Sequence, residues 1–306
     1  MAEAVFAAAE LDLASALARG PRTAQQLATR LKLDADPLRR LLRALSSAGV
    51  FEQRYDGRFA LTDLSRQLVA RAPGSLRPLL RDGGASWRQE RWAGLVALVR
   101  GRQPPAPQAL DPEEGAALDA GRVALAGRLA AAALDAYDLG FAKVLVEVGD
   151  GGPALGTFLA AARARYPEVR AVVADLSAGG AVPPEGDAYV LVNVLRDRDD
   201  ARAGEIVRAC RRAMGPASRL LAVEMVLPEI AAVPHLGLMQ DVERMALFGG
   251  ARERSERDHR AIFEREGLRL SRVVPTATSS AVIEAVPAAA QAPRRRSARR
   301  AQRQRV

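Results

Sequence analysis

A glycine-rich turn directly after an apolar run is the clearest chemical feature of this sequence. The run Val144–Val148 leads into the turn 149–152, Gly-Asp-Gly-Gly, and Asp175 ends the next apolar run, 26 residues after Gly149. Glycines let a ligand approach the backbone, and an acid at that distance can accept both ribose hydroxyls of an adenosine group. The pattern predicts a cofactor cradle with Gly149, Gly151 and Asp175 as contacts. A dinucleotide site, or a tight turn without a ligand, has the same pattern.

Few other residues could carry out chemistry of a different kind. The chain contains only two histidines, His235 and His259, and their spacing from Cys210 does not suit zinc, so we predict no metal site. His259 falls in a charged helical pattern and is expected on a solvated face. His235 lies in a proline-flanked loop before a predicted helix and could contribute a base to a substrate pocket.

Composition places the chain in a reducing compartment. One cysteine excludes an internal disulfide framework. The N-terminus lacks the basic residues of a secretory signal, and no apolar run approaches the roughly 20 residues of a membrane span. We therefore expect a cytoplasmic protein without a membrane segment.

The glycine turn belongs to a segment in which predicted strands and helices alternate. Such alternation predicts an α/β Rossmann-like domain with a mostly parallel sheet over residues 141–287. The strand-like runs are 144–148, 169–174, 188–195, 219–223, 269–274 and 281–286, and the helical patterns between them are 154–165, 200–214 and 255–266.

Residues 1–72 have a different pattern, in which helices are followed by a hairpin. A first helix carries the leucines of 11–17, a capping box at Thr23 opens the second helix, and Asp36 is expected to cap the third. Asp56-Gly57, between two short apolar runs, predicts a tight β-hairpin. Three helices and a hairpin predict an α+β winged-helix domain.

Two further segments complete the division of the chain. Residues 73–140 read as helices with a proline-rich linker at 101–112, and their face around Trp87 and Trp92 is expected to serve dimerisation and to cover a pocket. Residues 288–306 read as a disordered tail with seven arginines, and without them the net charge of +9 falls to +2. The tail could bind phosphates nonspecifically, but a solvated end is typical of such a run.

Together these stretches resemble the O-methyltransferase family whose members carry an N-terminal winged-helix dimerisation domain, which includes plant caffeate, acetylserotonin and bacterial polyketide-tailoring enzymes. The resemblance runs from about residue 10 to 286, and the matching stretches include 38–45, 49–51, 57–62, 144–152, 172–176, 186–189, 208–213, 220–228, 249–254 and 283–285. It implies S-adenosylmethionine as cofactor in preference to NAD, a homodimer, and O-methylation of a small hydroxyl or carboxyl substrate of the aromatic secondary-metabolite kind.

Two departures from the family pattern concern the cofactor site. Family members usually show three consecutive glycines and another two residues on, whereas here Asp150 interrupts the series. Its carboxylate would lie beside the expected carboxylate of the cofactor's methionine part. The segment Leu176–Asp187 is also too short for the helix, strand and acidic loop of the family. We therefore expect a sheet that lacks one edge strand and a weakened hold on S-adenosylmethionine.

A third departure concerns the proton acceptor. The family keeps its catalytic histidine at the position of Arg196, and the two glutamates that orient it correspond to Glu224 and Glu253. A phenol, with a pKa near 10, benefits from a base in reach, but arginine cannot take that proton. Arginine can hold an oxygen that is already anionic. The resemblance thus assigns Arg196, Glu224 and Glu253 to the catalytic site, with His235 as an alternative base.

Three functions remain open on these residues. The first is an active methyltransferase with an unusual base or an anionic substrate. The second is a catalytically degenerate family member with a structural or partner-binding role. The third is a winged-helix DNA-binding regulator, suggested by Arg39, Arg40 and Arg43 on the third helix. In the resembling family this module pairs subunits, so specific binding of nucleic acid is not expected.

Overall fold

The computed structural model describes residues 1–102, 112–177 and 179–288. Most of the predicted linker at 101–112, and the predicted tail at 288–306 beyond its first residue, therefore lie outside the described residues.

The N-terminal segment contains five helices and a small antiparallel sheet of order β1-β3-β2. Its leucines and two phenylalanines form one buried cluster. The elements are α1 (Ala2–Glu10), α2 (Leu13–Leu17), β1 (Arg22–Thr23), α3 (Ala24–Leu31), α4 (Ala35–Ser47), β2 (Phe51–Gln53), β3 (Arg58–Leu61) and α5 (Asp63–Arg66). The winged-helix prediction agrees with this arrangement.

Local details of this segment both confirm and correct the sequence prediction. The capping box is present, because Thr23 and Gln26 bond to each other's backbone N–H groups. The predicted single helix over 11–17 is wrong, since Asp12 takes a left-handed backbone (φ 52°) that separates α1 from α2. Asp34 caps α4 in place of Asp36, because its side chain accepts from the Asp36 N–H.

Four helices connect this segment to the large sheet. They are α6 (Arg77–Gly83), α7 (Ser86–Ala93), α8 (Leu95–Val99) and α9 (Pro112–Ala136). Helix α6 crosses α9 closely at Gly121, where a Cβ atom would lie 3.1 Å from the Leu79 Cα atom. Trp87 on α7 packs against Phe248, with ring centroids 6.1 Å apart. Trp87 therefore packs within the chain, and it gives less reason to predict that this face forms a dimer contact.

The large sheet has the order β5-β4-β6-β7-β10-β9, with β8 paired to β7. Strands β4 to β7 are parallel, and β9 and β10 form an antiparallel pair at the far edge. The elements are β4 (Val144–Gly149), α10 (Thr157–Arg165), β5 (Arg170–Asp175), β6 (Ala188–Val192), a 3₁₀ turn (Leu195–Asp197), α11 (Asp200–Ala213), β7 (Arg219–Leu227), α12 (Leu236–Phe248), β8 (Arg254–Ser255), α13 (Glu256–Arg265), β9 (Leu268–Pro275) and β10 (Ser280–Pro287). The predicted Rossmann-like domain is confirmed.

The sheet ends at β5, as predicted from the short segment after it. Of residues 176–187, those that the structure describes form turns and no strand. Val173 on β5 keeps 51% of its surface exposed, because no further element covers that edge. The expected loss of one edge strand is therefore confirmed.

Helices cover both faces of the sheet and define two apolar layers. One layer packs α11 and α13 against β6, β7 and β10, and the other packs α9 and α10 against the opposite face. Because β4, β5 and β6 are parallel neighbours, their carboxyl ends meet at one edge, which is where ligands bind in such sheets.

His259 is buried, which corrects the prediction of a solvated face. It lies on α13 with 2% of its surface exposed and stacks near Phe263, at 6.0 Å between ring centroids. Burial, with Arg254 nearby, lowers its pKa to about 3. Its neighbours Arg257 and Asp258 are exposed, so the charged composition of the helix did not reveal that the histidine itself is buried.

Candidate active site

A cavity of about 590 Å³ opens at the carboxyl ends of β4 and β6. Its floor is the glycine turn and the chain that follows β6, and helices α6, α7, α9 and α12 contribute its other walls. This volume lies within the range of about 300–1,000 Å³ for small-molecule sites. The cavity is therefore the candidate site of chemistry.

The glycine turn lines this cavity through its backbone. At Gly149 a Cβ atom would lie 2.7 Å from the Leu155 Cδ1 atom, so a larger residue would require this side chain to shift. Gly151 and Gly152 adopt positive φ angles of 87° and 96°, which side chains other than glycine's rarely allow. Both predicted glycines thus lie where a ligand can reach the main chain.

Asp175 lies beside the turn, since its Cα pairs in register with that of Gly149. Its Oδ1 atom accepts hydrogen bonds from the Ser177 N–H at 2.9 Å and from the Ser177 hydroxyl at 2.7 Å. These bonds lower the pKa of Asp175 and keep it ionised. It is exposed and lies next to the lining residue Gly149, but it does not itself line the cavity.

Asp150 is tied to two arginines that the sequence prediction did not single out. Its carboxylate pairs with Arg198 at 2.8 Å and with Arg202 at 2.9 Å. Burial alone would raise its pKa, but the hydrogen bonds from Arg202 and Arg198 outweigh that effect and lower it. The expected like-charge repulsion toward a cofactor carboxylate is therefore offset by two cations at the same place.

Arg196 lies in the 3₁₀ turn after β6 and lines the cavity with only 8% of its surface exposed. Its Nη1 atom lies 3.1 Å from Oε1 of Glu253, and its Nε atom lies 3.8 Å from the Asp197 carboxylate. Two of the three residues assigned to catalysis are thus in contact, and the guanidinium fills the position expected for a base.

Glu224 and Glu253 lie behind Arg196 and do not line the cavity. Glu224 is fully buried and accepts the Leu195 N–H at 2.9 Å through Oε1, which fixes the start of the 3₁₀ turn. Burial, with Glu253 nearby, raises its pKa to about 8. Burial likewise raises the pKa of Glu253. Both carboxyls therefore hold a proton more readily than exposed glutamates do.

Arg254 is a structural residue of the site that sequence reasoning missed. It is 2% exposed and donates to the carbonyls of Leu195 at 2.6 Å and Arg198 at 2.9 Å, while pairing with Asp200 at 2.8 Å. It thereby holds the whole loop that carries Arg196. It belongs to the matching stretch 249–254, which was a usable signal, but its partners are far away in sequence.

His235 is not part of the cavity, so the structure does not support it as a replacement base. It caps α12, where its Nδ1 atom accepts the Gly237 N–H at 3.1 Å, and it is absent from the cavity lining. Asn193 is a missed lining residue. Its backbone is left-handed (φ 54°), and its buried Oδ1 atom has no hydrogen-bond partner among the described residues.

The sheet order, the glycine turn and the cavity define the fold of an S-adenosylmethionine-dependent methyltransferase. A family model described as the O-methyltransferase dimerisation domain matches residues 1–71, and a model of the O-methyltransferase domain matches residues 178–269. The chain belongs to this O-methyltransferase family, as the resemblance implied.

Known proteins are similar along almost the whole chain. The phenazine O-methyltransferase PhzM of Lysobacter antibioticus is 31% identical over 93% of this chain and 92% of its own length. The O-demethylpuromycin-O-methyltransferase of Streptomyces alboniger is 32% identical over 92% and 84% respectively. The solved structure of CalO1, a methyltransferase of calicheamicin biosynthesis in its S-adenosylhomocysteine-bound form, matches with a TM-score of 0.81 and 26% identity over 94% of each chain.

S-adenosylmethionine is the cofactor of this class, and the residues present fit it. The open backbone at the glycine turn, the ionised Asp175 carboxylate and the orphan Oδ1 atom of Asn193 offer suitable contacts. None of the relatives named above supports a DNA-binding regulator or a degenerate protein. Within the described residues, no helix is long and apolar enough to cross a bilayer, and no group of potential metal ligands gathers.

Proposed function

We propose that this chain transfers a methyl group from S-adenosylmethionine to an oxygen of a small aromatic substrate. One observation carries the proposal: a single cavity joins the glycine turn to Arg196 and to apolar side chains of α9 and α12. The cofactor and an acceptor can therefore occupy the same enclosed space. Two relatives act on phenazine and on O-demethylpuromycin, which supports an acceptor of similar size.

Each assigned residue has a distinct part in this proposal. The backbone at Gly149 and Gly151 and the Asp175 carboxylate hold the cofactor, which supplies an electrophilic sulfonium methyl group when bound. Arg196 faces the acceptor and donates hydrogen bonds to its oxygen. Glu253 fixes the guanidinium through the 3.1 Å contact, and Glu224 fixes the backbone next to it. Arg196 cannot accept a proton, so the position at which the family keeps its histidine supplies no base to the acceptor.

The proposal assigns a separate role to each part of the chain. Residues 1–72 would pair two copies into a homodimer, 73–140 would complete the interface and cover the pocket, and 141–287 would hold the cofactor. The match of residues 1–71 to a dimerisation domain supports the pairing. Sedimentation showing a folded monomer at micromolar concentration would contradict it. We place the protein in the cytoplasm, where the buried thiol of Cys210 stays reduced.

Calorimetry with S-adenosylmethionine and S-adenosylhomocysteine tests the first requirement of this function. We expect saturable binding of both, weakened by the missing wall after β5. Asp175→Ala should reduce it strongly, whereas Asp135→Ala, an exposed aspartate on α9, should not. Labelled methyl transfer to a panel of aromatic acceptors then tests the activity. A protein that binds neither cofactor form would favour the alternative of a degenerate family member.

A further inference from the structure

Arginines dominate the wall of the cavity. Six arginines and four acids line it, namely Arg88, Arg91, Arg122, Arg196, Arg198 and Arg244 against Asp82, Glu147, Asp150 and Asp197. Asp150 is engaged by Arg198, and Asp82 by Arg88 at 2.5 Å. Among the lining residues this leaves four arginines against Glu147 and Asp197, while Glu253, outside the lining, pairs with Arg196 at 3.1 Å.

Two buried guanidiniums share one carboxylate in the deep part of this wall. Asp197 Oδ1 lies 3.0 Å from Nη1 of Arg244 and 3.8 Å from Nε of Arg196. Arg244 lies on α12, and its guanidinium carbon is 5.0 Å from the centroid of the Phe248 ring. The Nε atoms of both arginines are buried and have no hydrogen-bond acceptor among the described residues. Buried donors of this kind are almost always satisfied in folded proteins.

Of the two glutamates behind this pair, Glu224 adds little negative charge near neutral pH, and Glu253 contacts Arg196 at 3.1 Å. Burial raises the pKa of Glu224 to about 8 and also raises that of Glu253. Burial lowers the pKa of Arg244, and the neighbouring Arg196 lowers it further, whereas Asp197, Glu243 and Glu253 raise it. Because both arginines line the cavity, an anion there would lie beside the two guanidiniums and add negative charge next to them.

We propose that the cavity takes its methyl acceptor as an oxyanion, a carboxylate or an acidic phenol already ionised in water, held between Arg196 and Arg244. This inference rests on the proposed function. The apolar Leu118, Leu125 and Leu247 line the same cavity, which suits an aromatic body on the anionic group.

Such an acceptor removes the need for a base. A lone pair of the oxyanion forms the new O–CH₃ bond while the bond from the methyl carbon to sulfur breaks, and its electron pair stays on sulfur. The sulfonium becomes a neutral thioether, the acceptor becomes a neutral ester or ether, and no proton moves. Because Arg196 is not a proton acceptor, the site would select its substrate by charge. A neutral phenol lacks the negative charge that the two arginines bind.

The test compares an anionic with a neutral probe in two pairs, of which naphthoate and naphthamide have nearly the same shape. Calorimetry on the full chain with S-adenosylhomocysteine would use naphthoate against naphthamide, and dinitrophenol against phenol. We expect each anion to bind at least about tenfold more tightly than its neutral partner, since a charge-assisted hydrogen bond is worth about that much. With S-adenosylmethionine, mass spectrometry should detect methyl naphthoate or the dinitrophenol methyl ether, which tells which oxyanion is the acceptor.

Variants assign the preference to the two arginines. Arg244→Gln and Arg196→Gln should each remove most of it, and Arg244→Lys should retain much of it because the charge remains. Arg260→Gln, an exposed arginine on α13 that pairs with Glu256, is the matched control and should change nothing. Thermal melts check that each variant is folded. If a glutamine variant is not folded, Arg244→Lys still tests the role of the charge at position 244.

The outcomes separate this inference from the proposed function. If S-adenosylhomocysteine does not bind, the proposed function fails. If it binds and naphthamide binds as tightly as naphthoate, or phenol is methylated as fast as dinitrophenol, the proposed function stands and the oxyanion inference is overturned. A preference for the anions that survives both glutamine variants would also overturn it.

Discussion

Replacing Glu224 by glutamine should change how stability depends on pH. In the native protein burial raises the pKa of Glu224 to about 8, whereas an unfolded glutamate titrates near 4.3. Between these values the native state keeps a proton that the unfolded state has released. Stability therefore falls as pH rises through this window, by about 1.4 kcal/mol per pH unit. From about pH 6 to about pH 8 the loss is roughly 2 kcal/mol, because Glu224 begins to titrate in the native state near the upper limit.

Glu224→Gln keeps an oxygen to accept the Leu195 N–H and has no proton to lose. Its free energy of unfolding should therefore fall by roughly 2 kcal/mol less than that of the wild type over the same pH range. Urea unfolding at a series of pH values measures this, at one protein concentration because a dimer's stability depends on it. Glu205→Gln, at an exposed glutamate of α11, is the control. Parallel curves for wild type and Glu224→Gln would refute the buried, protonated carboxyl.

Three further variants test other parts of the site. Asp150→Gly should tighten binding of S-adenosylhomocysteine by roughly 1 kcal/mol, because it frees two arginines for the cofactor's carboxylate. Calorimetry with methylthioadenosine, which lacks that carboxylate, should show no gain, and an equal change for both ligands would contradict the explanation. His259→Leu should reduce acid sensitivity: the native pKa of about 3 means that protonation favours unfolding as pH falls below about 6.5. Near pH 4.5 the wild type should have lost roughly 2.5 kcal/mol of unfolding free energy relative to pH 7, and the variant should be spared that loss. An acid-unfolding curve identical to that of the wild type would be the contrary result. Arg254→Lys should cost about 1–3 kcal/mol in unfolding free energy, because buried carbonyls lose their donors. Arg252→Lys, an exposed neighbour that also pairs with Asp200, should cost much less, and equal losses would show that burial of Arg254 is irrelevant.

Local patterns predicted much of the fold, because their causes are local. The capping box at Thr23 depends on residues three positions apart, and the apolar runs of β4, β6 and β7 are buried on both faces of the sheet. Chain length was equally informative, since Leu176–Asp187 is too short for another helix and strand. Asp12 shows the limit of such reasoning, as its left-handed backbone splits a helix that the leucine spacing predicted to be continuous.

The electrostatic partners in the site could not be predicted from the sequence. Asp150 meets Arg198 and Arg202, about 50 residues away, only because β4 and β6 are neighbours in the sheet. From the sequence, the Asp150 carboxylate predicted repulsion of a cofactor carboxylate. The sequence did not reveal the two arginines that offset this repulsion. His259 was misplaced for a related reason: its helix is charged, but the contact with β9 decides which side of the helix is buried.

The bare edge at β5 affects the rate at which the cofactor can be exchanged. Val173 is half exposed and Asp175, at the end of β5, is exposed, so the ribose end of a bound cofactor would border on water. Fewer contacts have to break before such a molecule leaves, and differences in affinity among related complexes are expressed mostly in dissociation. Many transferases are limited by release of their spent cofactor. A weaker hold at this edge would then shorten the residence time of S-adenosylhomocysteine and clear the site for the next turnover.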